Sequence, residues 1–218
     1  MEISFLCAAI ITFVLMLVES IYYIYQIKKK NIQPAIATWF IFSVATFVSA
    51  CSYIVATDKK WMEGVMIVSD SLFTFLTLVF TLIFTHSKFQ FNAFQVFYLA
   101  STCMIVVLWW FTKNAFYANL LVQLLIAIGY IPTIENLLKA QKNPESFLAW
   151  SLTFSAGAVS LYPAYQGGNK LSILYSVRSM LLVGILLFLI WRLERRCGGE
   201  SLLEGIKRVL PGKTKKLV

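Results

Sequence analysis

The feature that most constrains this 218-residue chain is a recurring apolar run, broken only by short polar or Gly/Pro segments. A helix needs roughly 20 consecutive apolar residues to cross a bilayer. Such runs fall at residues 3–26, 35–56, 62–85, 92–111, 116–138, 146–164 and 171–191. Together they nearly exhaust the chain and leave no room for an appended soluble enzyme. Only 13% of residues are charged and 59% are hydrophobic, whereas about a quarter are charged in an ordinary soluble domain. The expected class is an all-α integral membrane protein with seven transmembrane helices. Met1–Leu6 lacks a basic leader, so the first run reads as a retained helix, not a cleaved signal.

The charge pattern predicts the orientation. Lys28, Lys29, Lys30, Lys88, Lys139 and Lys142 fall in alternate loops, on the same side as the basic stretch after residue 191. The other side carries only Lys59, Lys60, Lys113 and Lys170. The positive-inside rule then places the N-terminus outside and the C-terminus in the cytoplasm. Topology accounts for the net charge of +9, and no nucleic-acid partner is expected. The tail at 193–218 reads as a surface segment attracted to anionic lipid, with partner docking as the alternative. No targeting motif appears, so a plasma or bacterial inner membrane is the default location.

Several chemistries lack their residues. His86 is the one histidine, and there is no HExxH, Ser/His dyad or convincing aspartate pair for intramembrane catalysis, so neither an enzyme nor a metal or cofactor site is expected. The seventh run has no mid-span lysine for a Schiff base. Cys7, Cys51, Cys103 and Cys197 show no CxxC spacing and read as small packing or lipid-facing residues, with a Cys7–Cys51 pair as the alternative.

The chain also carries a weak internal repeat. Tyr23-Ile24-Tyr25-Gln26-Ile27 lies over Tyr130-Ile131-Pro132-Thr133-Ile134, 107 residues later. Each segment leads through a lysine-bearing loop to a proline, Pro34 or Pro144, and then to a tryptophan, Trp39 or Trp150. Two three-helix units in the same orientation need an odd linker helix between them, which gives a 3+1+3 plan. The expected units are 1–86, a linker at 87–114, and 115–192.

On these residues the chain resembles the PQ-loop superfamily, which includes the SWEET sugar transporters, the lysosomal cystine transporters, bacterial nicotinamide riboside transporters and the KDEL receptors. The resemblance implies a hinge near the inner end of the first helix of each unit, at Tyr25 and Gln26 and at Pro132 and Thr133. The first half keeps the glutamine without the proline, the second the proline without the glutamine. The resemblance implies a secondary transporter or facilitator of a small polar or anionic solute. A non-transporting receptor or assembly partner on the same scaffold is the alternative, and homo-oligomerisation is left open.

Ionisable groups within spans cost about 2.5–3.5 kcal/mol on insertion scales and should face a cavity or a partner. Glu19, Asp70, Glu135 and Arg178 are the candidates, with Glu135 explained by snorkelling near a helix end. Asp70 and Arg178 differ by 108 residues, close to the repeat offset, which predicts an ion pair across the centre. It reads either as a structural lock or as a ligand site with Arg178 binding the solute, Asp70 as its resting partner and Glu19 as a proton carrier. Trp39 and Trp150 read as interface residues or as stacking plates at a cavity floor. Asn119, Gln123, Ser155, Ser160, Ser172 and Ser176 read as a polar path or as packing glue. Tyr162-Pro163 and Gly167-Gly168 mark an outer turn able to gate.

Overall fold

A computed structural model describes residues 3–32, 34, 36–85, 91–140, 143 and 145–196. His86, Lys88, Lys142, Pro144, Cys197 and the basic tail lie outside the described residues. Every regular element described is helical: α1 (Ile3–Lys28), α2 (Ile36–Ala56), α3 (Val65–Phe84), α4 (Ala93–Thr112), α5 (Ala115–Gly129), α6 (Ile131–Lys139), α7 (Phe147–Gln166) and α8 (Lys170–Arg196). The boundaries lie close to the apolar runs.

Six helices are long and apolar enough to cross a membrane, with α5 and α6 together forming one of them. This suits a multi-pass membrane protein. α7, which matches the sixth expected run at 146–164, falls short of that apolar character. Its 20 residues include Ser151, Thr153, Ser155, Gly157, Ser160 and Pro163. Its hydroxyls turn back onto its own backbone: Thr153 Oγ1 donates to the Ala149 carbonyl, Ser155 Oγ to Ser151 and Ser160 Oγ to Gly157. That satisfies them without water. Packing between α1 and α8 takes the place of lipid exposure along much of this helix.

Local chemistry sets the helix ends. Asn92 and Gln95 form a reciprocal capping box that starts α4, and Asn114 and Ser146 cap α5 and α7; each satisfies amides left free by the first turn. Between α5 and α6 the helix breaks at Tyr130, because Pro132 has no N–H to offer the carbonyl four residues earlier. α1, by contrast, runs unbroken through Tyr25 and Gln26 to Lys28. The expected hinge is thus a break in the second half alone.

The packing follows one pattern twice. α3 packs against both α1 and α2, and α8 packs against α7 and against α5 and α6. α1 lies on α7, and α2 lies on α5. α4 rests on α5 and α2 from outside. On its outer face Met104, Trp110 and Phe111 are each more than 60% exposed, as lipid-facing residues would be. Cys7, Cys51 and Cys103 are free thiols, so the alternative Cys7–Cys51 disulfide does not form.

Candidate functional site

A cavity of about 380 Å³ lies between the helices, and two of its walls repeat. Tyr23 of α1 packs its ring on Trp39 of α2, with centroids 5.1 Å apart. Tyr130, at the α5–α6 break, packs on Trp150 of α7, with centroids 6.2 Å apart. All four line the cavity. Phe42 stands edge-on to Tyr130 and extends the aromatic wall. Polar lining comes from Thr38 and Thr46 on α2, Thr74 and Thr77 on α3, Thr133 and Asn136 on α6, and Thr153 and Ser179 on α7 and α8.

The cavity has one open end. Its lining includes Ile32 and Pro34 from the α1–α2 loop and Ala140 and Glu145 from the α6–α7 loop. Both loops belong to the lysine-bearing side. No residue of the α2–α3 or α7–α8 turn lines it.

The opposite end is sealed. Buried Met16, Tyr53, Met66, Phe73 and Tyr175 form one apolar cluster across α1, α2, α3 and α8. Above it Tyr53, fully buried, donates its hydroxyl to the Lys60 carbonyl (3.0 Å) and accepts from Asn169 Nδ2 and Ser172 Oγ (2.9 Å each). Asn169 Nδ2 also donates to Glu63 (3.0 Å), which pairs with Lys60 (3.5 Å). The α2–α3 turn is thereby tied to the α7–α8 turn. Gly167 belongs to this joint, since a Cβ there would overlap the Glu63 side chain.

Of the residues expected at the site, Trp39, Trp150, Glu19, Asp70 and Thr133 line the cavity. Glu19 has no hydrogen-bond or ion-pair partner among the described residues. Asp70 accepts hydrogen bonds from Tyr175 Oη and from Thr74 Oγ1 (3.3 Å).

Arg178 departs from expectation. It does not line the cavity and forms no ion pair with Asp70 among the described residues. Tyr175, one turn earlier on the same face of α8, comes between them: its hydroxyl serves Asp70, and its ring carries the Arg178 guanidinium 4.4 Å from the centroid. Arg178 Nε is buried without a partner. The expected anion-binding arm is therefore absent from the lining.

Asn119 is also displaced from its expected role. Fully buried, it donates to the Ser49 carbonyl (2.8 Å) and Ser52 Oγ (3.1 Å) and accepts from Gln123 Nε2 (2.6 Å). It joins α5 to α2 and does not line this cavity. Ser160 and Ser176 likewise bond to each other between α7 and α8 (2.7 Å), and Ser172 serves Tyr53. Asn119, Gln123, Ser160, Ser172 and Ser176 are packing glue, not a path. Gln26 accepts from Asn31 Nδ2 (2.6 Å), and Tyr25 is exposed beneath Lys29. Pro132 occupies the first turn of α6. Glu135 pairs with Lys139 at the surface (3.2 Å).

Sequence reasoning missed Glu145, Tyr175 and the Tyr53–Asn169 joint. Glu145 accepts from Trp150 Nε1 (3.2 Å) at the cavity mouth. Desolvation pushes its carboxyl up to about 7, opposed by that hydrogen bond. Tyr23 and Tyr130 were already visible in the repeat, where they stand 107 residues apart. Compared with family models, with curated proteins and with solved structures, the chain matches none.

Proposed function

We propose that this chain is a secondary carrier or facilitator for a small solute, working by alternating access between two three-helix units. In this reading α1–α3 form one unit, α4 is the linker, and α5–α8 form the other, with the α5–α6 pair counted as one crossing and α7 as the least apolar. The 3+1+3 plan is similar to that of the PQ-loop superfamily. It is supported by the doubled packing pattern, in which the third helix of each unit lies between the first two and the units meet α1 on α7 and α2 on α5.

The observation that carries the function is the cavity wall. The same tyrosine–tryptophan pair is contributed once by each unit to a single cavity that is open at one end and sealed at the other. A pseudo-twofold site between two units is what rocking motion can expose to either side in turn. With the N-terminus outside, the open end faces the cytoplasm, and the Tyr53–Asn169–Glu63 joint is the closed outer gate. Pro132 and the break at Tyr130 place a flexible point beside Trp150, where the second unit would bend.

Thiol accessibility tests this. In a background lacking the four native cysteines, Thr153→Cys puts a thiol on the cavity wall. A membrane-impermeant maleimide is expected to label it rapidly from the lysine-bearing side and slowly, but measurably, from the other. Labelling from one side only, in a protein that folds normally, would contradict alternating access.

A further inference from the structure

The charge on the cavity wall has one sign. Glu19, Asp70 and Glu145 line it, and among the described residues no lysine or arginine does. The nearest positive group, Arg178, lies behind the ring of Tyr175 and is held there as that ring's cation. It acts on Asp70 only through space, and the direct partners of Asp70 are two neutral hydroxyls. Glu19 has no partner at all among the described residues. Carboxyl groups held inside a bilayer without an ion-pair partner call for a proton or for a positive charge from the ligand.

The neutral walls point the same way. Trp39 and Trp150 line the cavity with large π systems, each packed against a tyrosine. Such faces carry negative electrostatic potential and attract cations, most of all where water is excluded. A cavity of about 380 Å³ is at the small end for a ligand pocket. It has room for a single ring with a substituent.

We propose that the cavity between the two units binds a small aromatic organic cation, its ammonium group directed at Glu19 and Asp70 and its ring between Trp39 and Trp150. This rests on the carrier reading only in taking the cavity as a solute site, and it replaces a polar or anionic solute with a cationic one. Arg178 then has a defined part: it offsets some of the negative charge without competing for the ligand.

The test compares three single-ring compounds of different charge on the purified full chain: benzyltrimethylammonium, benzyl alcohol and benzoate. Only the cation is expected to give a saturable rise in melting temperature. Its apparent Kd is expected to weaken at least tenfold in Glu19→Gln and in Trp39→Leu, while Glu135→Gln, at the surface, leaves it unchanged. The comparison among the three compounds uses the unmodified chain, so a variant that fails to fold does not blunt it. An equal or larger effect of benzoate or benzyl alcohol would overturn the proposal, as would no effect from any of the three. A neutral or anionic ring whose effect disappears in Trp39→Leu would refute the charge preference alone and leave the solute cavity standing. Two-sided labelling of Thr153→Cys needs no ligand and judges the carrier reading separately.

Discussion

Replacing Tyr53 with phenylalanine removes one oxygen, and that oxygen makes the joint at the closed end of the cavity. It donates to the Lys60 carbonyl and accepts from Asn169 and Ser172. The ring stays, wedged against Gly64, so packing is preserved. Each lost hydrogen bond removes a net of about 1 kcal/mol, so three remove about 3 kcal/mol from the closed arrangement. If the open arrangement lacks all three, the balance moves toward it by on the order of 100-fold, since about 1.4 kcal/mol is tenfold. Asn169 keeps its bond to Glu63, which sets this as an upper figure. The assay is the rate of maleimide labelling of Thr153→Cys from the Asn169 side, with and without Tyr53→Phe. The expected result is a rise of one to two orders of magnitude. An unchanged rate, in a variant whose melting behaviour shows it folded, would mean that this joint does not keep the cavity closed.

Three further outcomes follow from the same geometry. Asn119→Ala removes the bonds between α5 and α2, and at about 0.6 kcal/mol per interhelical bond in membranes it should destabilise by roughly 1–2 kcal/mol in detergent unfolding while leaving binding of benzyltrimethylammonium intact; loss of binding at unchanged stability would place Asn119 at the site after all. Glu145 carries a carboxyl raised to about 7, above its unfolded value near 4.3, so the folded state holds a proton that the unfolded state releases between these values. Stability relative to Glu145→Gln should therefore fall as pH rises from about 4.5 through 7, and parallel melting curves for the two proteins across that range would refute the shift. Pro132→Ala restores the missing donor between α5 and α6 and should slow amide exchange across residues 127–134 at least tenfold; unchanged exchange would show that the break at Tyr130 has another cause.

Much of the helical plan could be read from apolar run length, because a bilayer allows few alternatives. The ends of α2, α4 and the α5–α6 pair fall within a residue or two of the runs, and the interruption at Tyr130 is visible as Tyr-Ile-Pro. The run at 146–164 also has its helix, α7, but its serines and threonines leave it less apolar than a membrane crossing usually is, with hydroxyls bonded within the helix. At the site, Trp39 and Trp150 were legible through the repeat, which also holds Tyr23 and Tyr130. The Asp70–Arg178 pair was not. An offset of 108 places two residues at similar depth, but it does not show that Tyr175, one turn away on α8, reaches the carboxylate first. Asn119 was misplaced for a similar reason: its partners are a backbone carbonyl and a serine on α2, and nothing in the local sequence of α5 reveals them. Glu145 looked like a polar loop residue, and only the three-dimensional approach of Trp150 makes it part of the cavity mouth.

Rocking of the two units about one cavity is tested most directly by pulsed electron–electron distance measurements. Spin labels at exposed Lys29 and Lys139 report on the open end, and labels at exposed Trp61 and Tyr165 report on the sealed end. Two populations are expected at each pair, changing in opposite senses: Tyr53→Phe shortens the first distance and lengthens the second. A single fixed distance at both ends, unmoved by Tyr53→Phe, would contradict it.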